Sequence, residues 1–282
     1  MTTVPFEPHR FRSTAAYYGR YRVPYPDELI ADVARRVGLK KGDRVLDLGC
    51  GPAPLGIAFA RLGMSVTGMD PEPEMLAAAQ AAALRAGVPL QLRQGSSYDL
   101  DAGIGRFSLV TMGRSFHWMD RADTLSRLDR MLEPGGAVAL FRDRRISARP
   151  DWRPVLHAAA EVYAPEQHAA RALRKGPQWL PHEAFLLRSA FSEVEAVARL
   201  FEQRLTIDDL VGRAFSMSGT SPQALGNRRD EFESYLREEL ASLSEDGLFG
   251  EIVAAEATLA FRGAGGDSPG SRGVGHGRVS SH

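Results

Sequence analysis

The 282-residue sequence has a single cysteine, Cys50, so an internal disulfide is excluded, and no Cys/His cluster has zinc-ligand spacing, so no metal site is expected. It lacks any run of about 18 apolar residues that would span a bilayer, and its opening MTTVPFEPHRFR lacks the apolar stretch of a secretory signal. A cytoplasmic protein with no membrane partner is expected. Net charge is missing as well. Lys+Arg and Asp+Glu number 35 each, so no overall field draws the chain to nucleic acid or to an anionic lipid surface. Lysine stands only at positions 40, 41 and 175, a bias read as genome composition. What is present is 44% hydrophobic, 8% aromatic and 25% charged side chains, the make-up of an ordinary globular protein. That excludes collagen, a repeat fibre and disorder throughout, and the length suits one large domain with an appendage.

Hydrophobic period then divides the chain. Residues 24–38 predict a helix with Leu29, Ile30, Val33, Ala34 and Val37 on one face and Gly38 as its stop. Short apolar runs at 44–48, 65–69, 90–93, 107–112 and 137–141 predict buried strands, with helices at 55–62, 74–86 and 122–132 between them. Strand and helix in alternation imply an α/β, doubly wound, mainly parallel sheet. Beyond Arg145 the pattern loosens. Helical stretches over 151–190, 206–215 and 222–243 predict a cap, and 193–205 and 251–262 predict further strands. The expected division is 1–145 as an N-terminal lid and binding core, 146–262 as cap and last strands, and 263–282 as a disordered Gly/Ser tail.

The chemistry concentrates where the first strand ends, in Val45-Leu46-Asp47-Leu48-Gly49-Cys50-Gly51-Pro52-Ala53. Closely spaced glycines between strand and helix let backbone approach a nucleotide-like ligand beside the positive helix end. The dinucleotide fingerprint would require glycine where Pro54 stands, which weakens an oxidoreductase reading. Asp47, two residues before Gly49, suits a ligand bearing an ammonium group better than one bearing pyrophosphate. Asp70 follows Gly51 by 19 residues, where an acid can accept both hydroxyls of a ribose or cap the next helix before Pro71. Met75 can pack on a purine or in the core, and Ser96 in the loop after the third strand can meet an adenine amino group.

These segments, VLDLGCGPA, SVTGMDPEPEML, QGSSYDL, FSLVTMGRSFHWMD and MLEPGG in that order, resemble the class I S-adenosylmethionine-dependent methyltransferases over about residues 17–141. TAAYYGRYRVPYPDELI and FHWMD are similar to the small-molecule branch near the ubiquinone-type and trans-aconitate-type enzymes. The resemblance implies a Rossmann-like sheet of seven strands with an antiparallel last strand, and S-adenosylmethionine as cofactor with S-adenosylhomocysteine as product. It places Asp47, Gly49 and Gly51 at the methionine part, Asp70 at the ribose, and Ser96 and Ser97 at the adenine edge, with Cys50, Pro71 and Met75 also on the cofactor. Ala53 stands where the pattern has its third glycine.

Transfer from a sulfonium needs mainly alignment, and in some cases removal of a proton from the acceptor. His117, after the fourth strand, is the candidate base, or with Trp118 a wall of the site. Arg114 can pair with the cofactor carboxylate, a substrate anion or a surface acid. Tyr17, Tyr18, Tyr21 and Tyr25, interleaved with Arg20 and Arg22, predict a lid rather than a nucleic-acid patch. Between Glu193 and Glu256 fourteen acids outnumber six arginines, so the cap is either an acidic cover favouring a cationic acceptor or a solvated face. The expected activity is methylation of N or O on a small molecule, such as an amino-sugar in antibiotic biosynthesis, or on a small carboxylic acid, phenol or quinone. A monomer or homodimer is expected, and a non-catalytic cofactor-binding regulator is the reading of another class.

Overall fold

The computed structural model describes residues 11–167 and 179–263. The expected tail therefore lies outside the described residues from 264 onward, as do residues 168–178 of the expected helical stretch.

Apolar runs bounded by glycine form the centre. β1 (Arg44–Leu48), β2 (Ser65–Asp70), β3 (Gln91–Gln94), β4 (Phe107–Gly113) and β5 (Leu132–Arg149) are mutually parallel. β7 (Leu248–Phe261) runs antiparallel between β5 and β6 (Glu193–Thr206). Among the described residues this makes one seven-stranded sheet in the order β3-β2-β1-β4-β5-β7-β6. Alternate residues of the parallel strands feed two cores. Val45, Val66 and Leu109 face one side, while Leu46, Val110 and Val138 face the other.

The helices cover both faces. α1 (Ala15–Tyr21) and α2 (Asp27–Val37) precede the sheet, α3 (Pro54–Arg61) follows β1, and α4 (Pro73–Ala86) follows β2. α2 opens with Asp27 and Glu28 against its positive end, closes on Gly38 in the left-handed region, and packs Leu29, Ile30 and Val33 beside Leu55 and Phe59 of α3. α5 (Arg121–Met131) seals the opposite face with Leu125, Leu128 and Met131. Each such fully buried side chain contributes about 1.5–3 kcal/mol of burial.

The cap grows from the sheet itself. β5, expected to end at Phe141, continues to Arg149, and its extension pairs with β7 as far as Arg149↔Gly250. The reason is the partner: polar alternation in RDRRISAR reads poorly as a buried parallel strand but suits an antiparallel ribbon with one wet face. The expected boundary at 145 thus falls inside one strand. α6 (Arg153–Tyr163), α7 (His182–Leu186), α8 (Ile207–Phe215), α9 (Pro222–Leu225) and α10 (Arg229–Leu243) follow. α6, α8 and α10 surround a separate core of Trp152, Leu210, Phe215, Phe232, Leu236 and Phe249. Gly226, at φ 57° and ψ −126°, interrupts the single helix expected over 222–243.

Candidate functional site

The loop after β1 is drawn back onto β2, because Gly49 and Cys50 donate their backbone N–H groups to Met69 O at 2.8 and 3.0 Å. Gly49, Gly51 and Ala53 all have left-handed backbone, at φ 67°, 54° and 56°. Ala53 therefore keeps the glycine-like shape despite its methyl group, which is buried with Cys50 and Ala79. A Cβ on Gly49 would stand 2.6 Å from Ser115 Cβ, whereas one on Gly51 would meet protein only at Met75 Sδ, 3.9 Å away. The loop is a backbone cradle with space beside its second glycine.

Asp70 ends β2 facing the same space. Its Oδ2 accepts from Gly51 N at 2.8 Å and its Oδ1 from Glu72 N at 3.0 Å, and burial pushes its pKa up to about 6. The capping position of α4 is held by Glu72, so Asp70 bonds the turn rather than capping the helix itself. Ser96 forms a capping box with Asp99, its hydroxyl donating to Asp99 Oδ2 at 2.9 Å, and Ser97 is buried beside it.

One cavity of about 390 Å³ gathers Gly49, Gly51, Asp70, Pro71, Met75, Ser96, Ser97, Arg114, His117, Trp118 and Tyr18. Four expected site residues stand behind this wall. Asp47, 1% exposed, accepts from Gly56 N at 3.0 Å and from the Thr111 hydroxyl at 2.9 Å, so its carboxylate braces β1, β4 and α3 instead of meeting the cavity. Burial raises its pKa to about 7. Cys50 packs under the loop, and burial pushes its thiol pKa well up. Tyr17 and Tyr21 glue α1 to the cap: Tyr17 lies 5.3 Å from the Phe215 ring, and a Cβ on Gly212 would be 2.5 Å from Tyr21 ring carbons.

The N-terminal segment bridges cap and core. Arg22 donates to Ser216 O at 2.8 Å, Arg12 pairs with Glu74 at 2.8 Å, and Phe11 meets Trp118 edge-on at 5.4 Å. His117 and Trp118 share a short turn after β4, with ring centroids 4.7 Å apart. Arg114 is not a surface ion pair. Its guanidinium donates to Asp143 and to Val23 O and lies 4.6 Å from the Tyr25 centroid.

Among the cavity residues that the sequence did not point to are Arg145 and Trp152. Strand alternation places Arg142 and Arg144 on the Glu256 side and leaves Asp143 and Arg145 on the other. The alternation of Asp143 and Arg145 with Arg142 and Arg144 in RDRR was the available signal, but only β7 reveals that this run is a strand.

An open α/β sheet whose glycine loop and acid-tipped second strand meet at the carboxyl ends of the strands is a nucleoside-binding protein of the doubly wound class. A model of the methyltransferase domain family matches residues 45–136. The ubiquinone biosynthesis O-methyltransferase of Xanthomonas axonopodis pv. citri is 33% identical over 176 residues, 62% of this chain and 67% of that protein. An uncharacterized methyltransferase of Mycobacterium tuberculosis is 32% identical over 144 residues, 48% of this chain and 54% of that protein. The chain spans about half the length of several curated relatives that it matches. Solved structures share the fold: the S-adenosylmethionine-dependent methyltransferase from Geobacter sulfurreducens, in complex with S-adenosylhomocysteine, has a TM-score of 0.53 at 17% identity, over 93% of this chain and 100% of that one. The corresponding methyltransferase from Thiobacillus denitrificans, also with S-adenosylhomocysteine, has a TM-score of 0.52 at 17% identity, over 93% and 100%. This chain belongs to the class I S-adenosylmethionine-dependent methyltransferases.

Proposed function

We propose that the protein transfers a methyl group from S-adenosylmethionine to oxygen or nitrogen of a small molecule. The observation that carries this reading is the single cavity running from the glycine cradle and Asp70 past His117 to the cap, so that donor and acceptor ends share one enclosure. The O-methyltransferase relatives favour oxygen as the atom methylated.

The residues fit the cofactor. Backbone at Gly49 and Gly51 leaves room for its amino acid part, Asp70 has lone pairs for two ribose hydroxyls, and Pro71 and Met75 offer an apolar wall to the purine. Ser96 and Ser97, which line the same cavity, meet the adenine edge in this reading, and Arg114 with Arg22 supplies positive charge for the methionyl carboxylate. Asp47 and Cys50 act from behind by holding the loop. When bound, S-adenosylmethionine supplies an electrophilic methyl on a sulfonium, so the chain's task is alignment. Tyr18 and Trp118 wall the reaction space, and the N-terminal segment closes over it and excludes water. His117, on the cavity wall, is the base that takes the acceptor's proton in this reading.

A cationic amino-sugar acceptor loses its support at the site. None of the fourteen acids between Glu193 and Glu256 is among the described residues lining the cavity, and nine of them are exposed, on β6, α8, α10 and the turn before β7. The deciding experiment is a labelled-methyl assay over pooled phenols, acids and amines, run beside calorimetric titration with S-adenosylhomocysteine and with NADH. S-adenosylhomocysteine binding with label transfer is expected. Binding without transfer to any acceptor favours a regulatory protein, and binding of NADH alone overturns the reading.

A further inference from the structure

Among the described residues lining the cavity, three carry a buried side-chain polar atom with no hydrogen-bond partner, and all three are N–H donors: Arg22 Nε, Arg145 Nε and Trp152 Nε1. Arg22 sits over Tyr18 on the N-terminal segment, on the proposed methionyl side. Arg145 and Trp152 belong to the cap, with the guanidinium carbon 4.9 Å from the indole centroid. Trp152 is 2% exposed, and a buried donor is stabilised only when an acceptor meets it.

The charges around them do not balance. Arg22, Arg114, Arg145 and Arg213 cluster about two carboxylates, Asp143 and Glu251. Asp143 takes Arg114, while Glu251 Oε1 takes Arg213 at 2.6 Å and also accepts from Gln203. Arg145 Nε forms an ion pair with Glu251 Oε2 at 3.3 Å, without hydrogen-bond geometry, so Glu251 is shared between Arg213 and Arg145. Burial lowers the pKa of both Arg22 and Arg145; like-charged neighbours add to that, while Tyr18 and Asp143 oppose it at Arg22 and Asp143 and Glu251 oppose it at Arg145. One carboxylate from the cofactor would answer one surplus cation and leave the other.

We propose that Arg145 and Trp152 form an anion site for the methyl acceptor, which is an amphipathic carboxylic acid. Its carboxylate accepts hydrogen bonds from the guanidinium and the indole N–H, and its apolar part lies against Leu156 and Phe232, which share a core with Trp152, and against Ala160 and Met217, which also line the cavity. The carboxylate anchors and orients the molecule. This inference rests on the methyltransferase reading for what the bound acid is, while the anion site itself is testable apart from it.

The test is calorimetric titration of the full chain, with and without saturating S-adenosylhomocysteine, using 3-phenylpropionate and octanoate against their primary amides. The acids are expected to bind about tenfold or more tightly than the amides. Trp152→Phe, which keeps the ring and removes the donor, and Arg145→Gln are each expected to cut that preference to about threefold or less, with S-adenosylhomocysteine affinity unchanged within about twofold. Equal binding of acid and amide, no binding of either acid at millimolar concentration, or a preference intact in both variants overturns the anion site. Loss of S-adenosylhomocysteine affinity in Arg145→Gln with an unchanged preference in Trp152→Phe assigns Arg145 to the cofactor carboxylate and likewise overturns it. Failure of the wild type to bind S-adenosylhomocysteine overturns the methyltransferase reading instead, and the titrations without it still decide the anion site.

Discussion

The Gly51 amide donates to Asp70 Oδ2 at 2.8 Å, across 19 residues of chain. This bond joins the loop after β1 to the tip of β2, so the carboxylate facing the cavity also sets the shape of the cradle. With Glu72 N on the other oxygen, Asp70 is held in one orientation before any ligand arrives.

Asp70→Ala is expected to weaken S-adenosylhomocysteine binding by about 1–3 kcal/mol, through loss of charge-assisted hydrogen bonds to the ribose and a looser cradle. Because burial holds the Asp70 pKa near about 6, the ionised acceptor is lost as pH falls from 7 to 5, and affinity should fall with it. Asp70→Asn should flatten that profile. Calorimetry across this range is the check, and unchanged affinity in the alanine variant would place the ribose elsewhere.

Asp47 makes a prediction about stability. Its folded pKa of about 7 lies above the ordinary carboxylate value of about 4, so the native state holds the proton more tightly than the unfolded chain. Its contribution is therefore fully present below about pH 4 and is lost as pH rises through about 7. Asp47→Asn should flatten the fall in unfolding free energy over this window, leaving the similar slope from Asp70. Asp47→Ala strands the Gly56 N–H and should cost about 1–3 kcal/mol at every pH. Urea titrations at several pH values measure both.

The lid is tested at Gly212. A methyl group there would overlap the Tyr21 ring at 2.5 Å, so Gly212→Ala should push α1 off α8. Faster proteolysis within residues 11–22 and weaker S-adenosylhomocysteine binding are expected, with the melting temperature lowered by a few degrees. Resistance to protease equal to that of the wild type would show that the segment does not depend on this contact.

His117→Ala should lower kcat by about 10²–10⁴-fold on an acceptor that must lose a proton, with S-adenosylhomocysteine affinity unchanged. Turnover equal to wild type on every accepted substrate would reduce His117 to a wall residue. Single-turnover measurement of labelled methyl transfer separates the two.

The parallel half of the sheet, the glycine loop and Asp70 were legible in the residue order because their causes are local. Apolar runs of five or six residues, glycines in the left-handed region and an acid at a strand tip declare themselves within a few positions. The direction in which Asp47 points was not legible, since Gly56 and Thr111, which claim its oxygens, come from α3 and β4. The acidic count in the cap was read from sequence, but which of those acids face solvent depends on how the cap elements pack.

Class of fold and the loop that would hold a nucleoside were thus legible in the residue order, because strand, turn and helix preferences act over a few neighbouring residues, while the identity of that nucleoside came from the family resemblance of those segments. The basic end of the cavity arose only from tertiary structure. Antiparallel pairing with β7 carried β5 past Phe141, turned Asp143 and Arg145 to one side, and set Trp152 beside them from a separate core. Charge balance depends on distances in space, and those exist only after distant strands have paired.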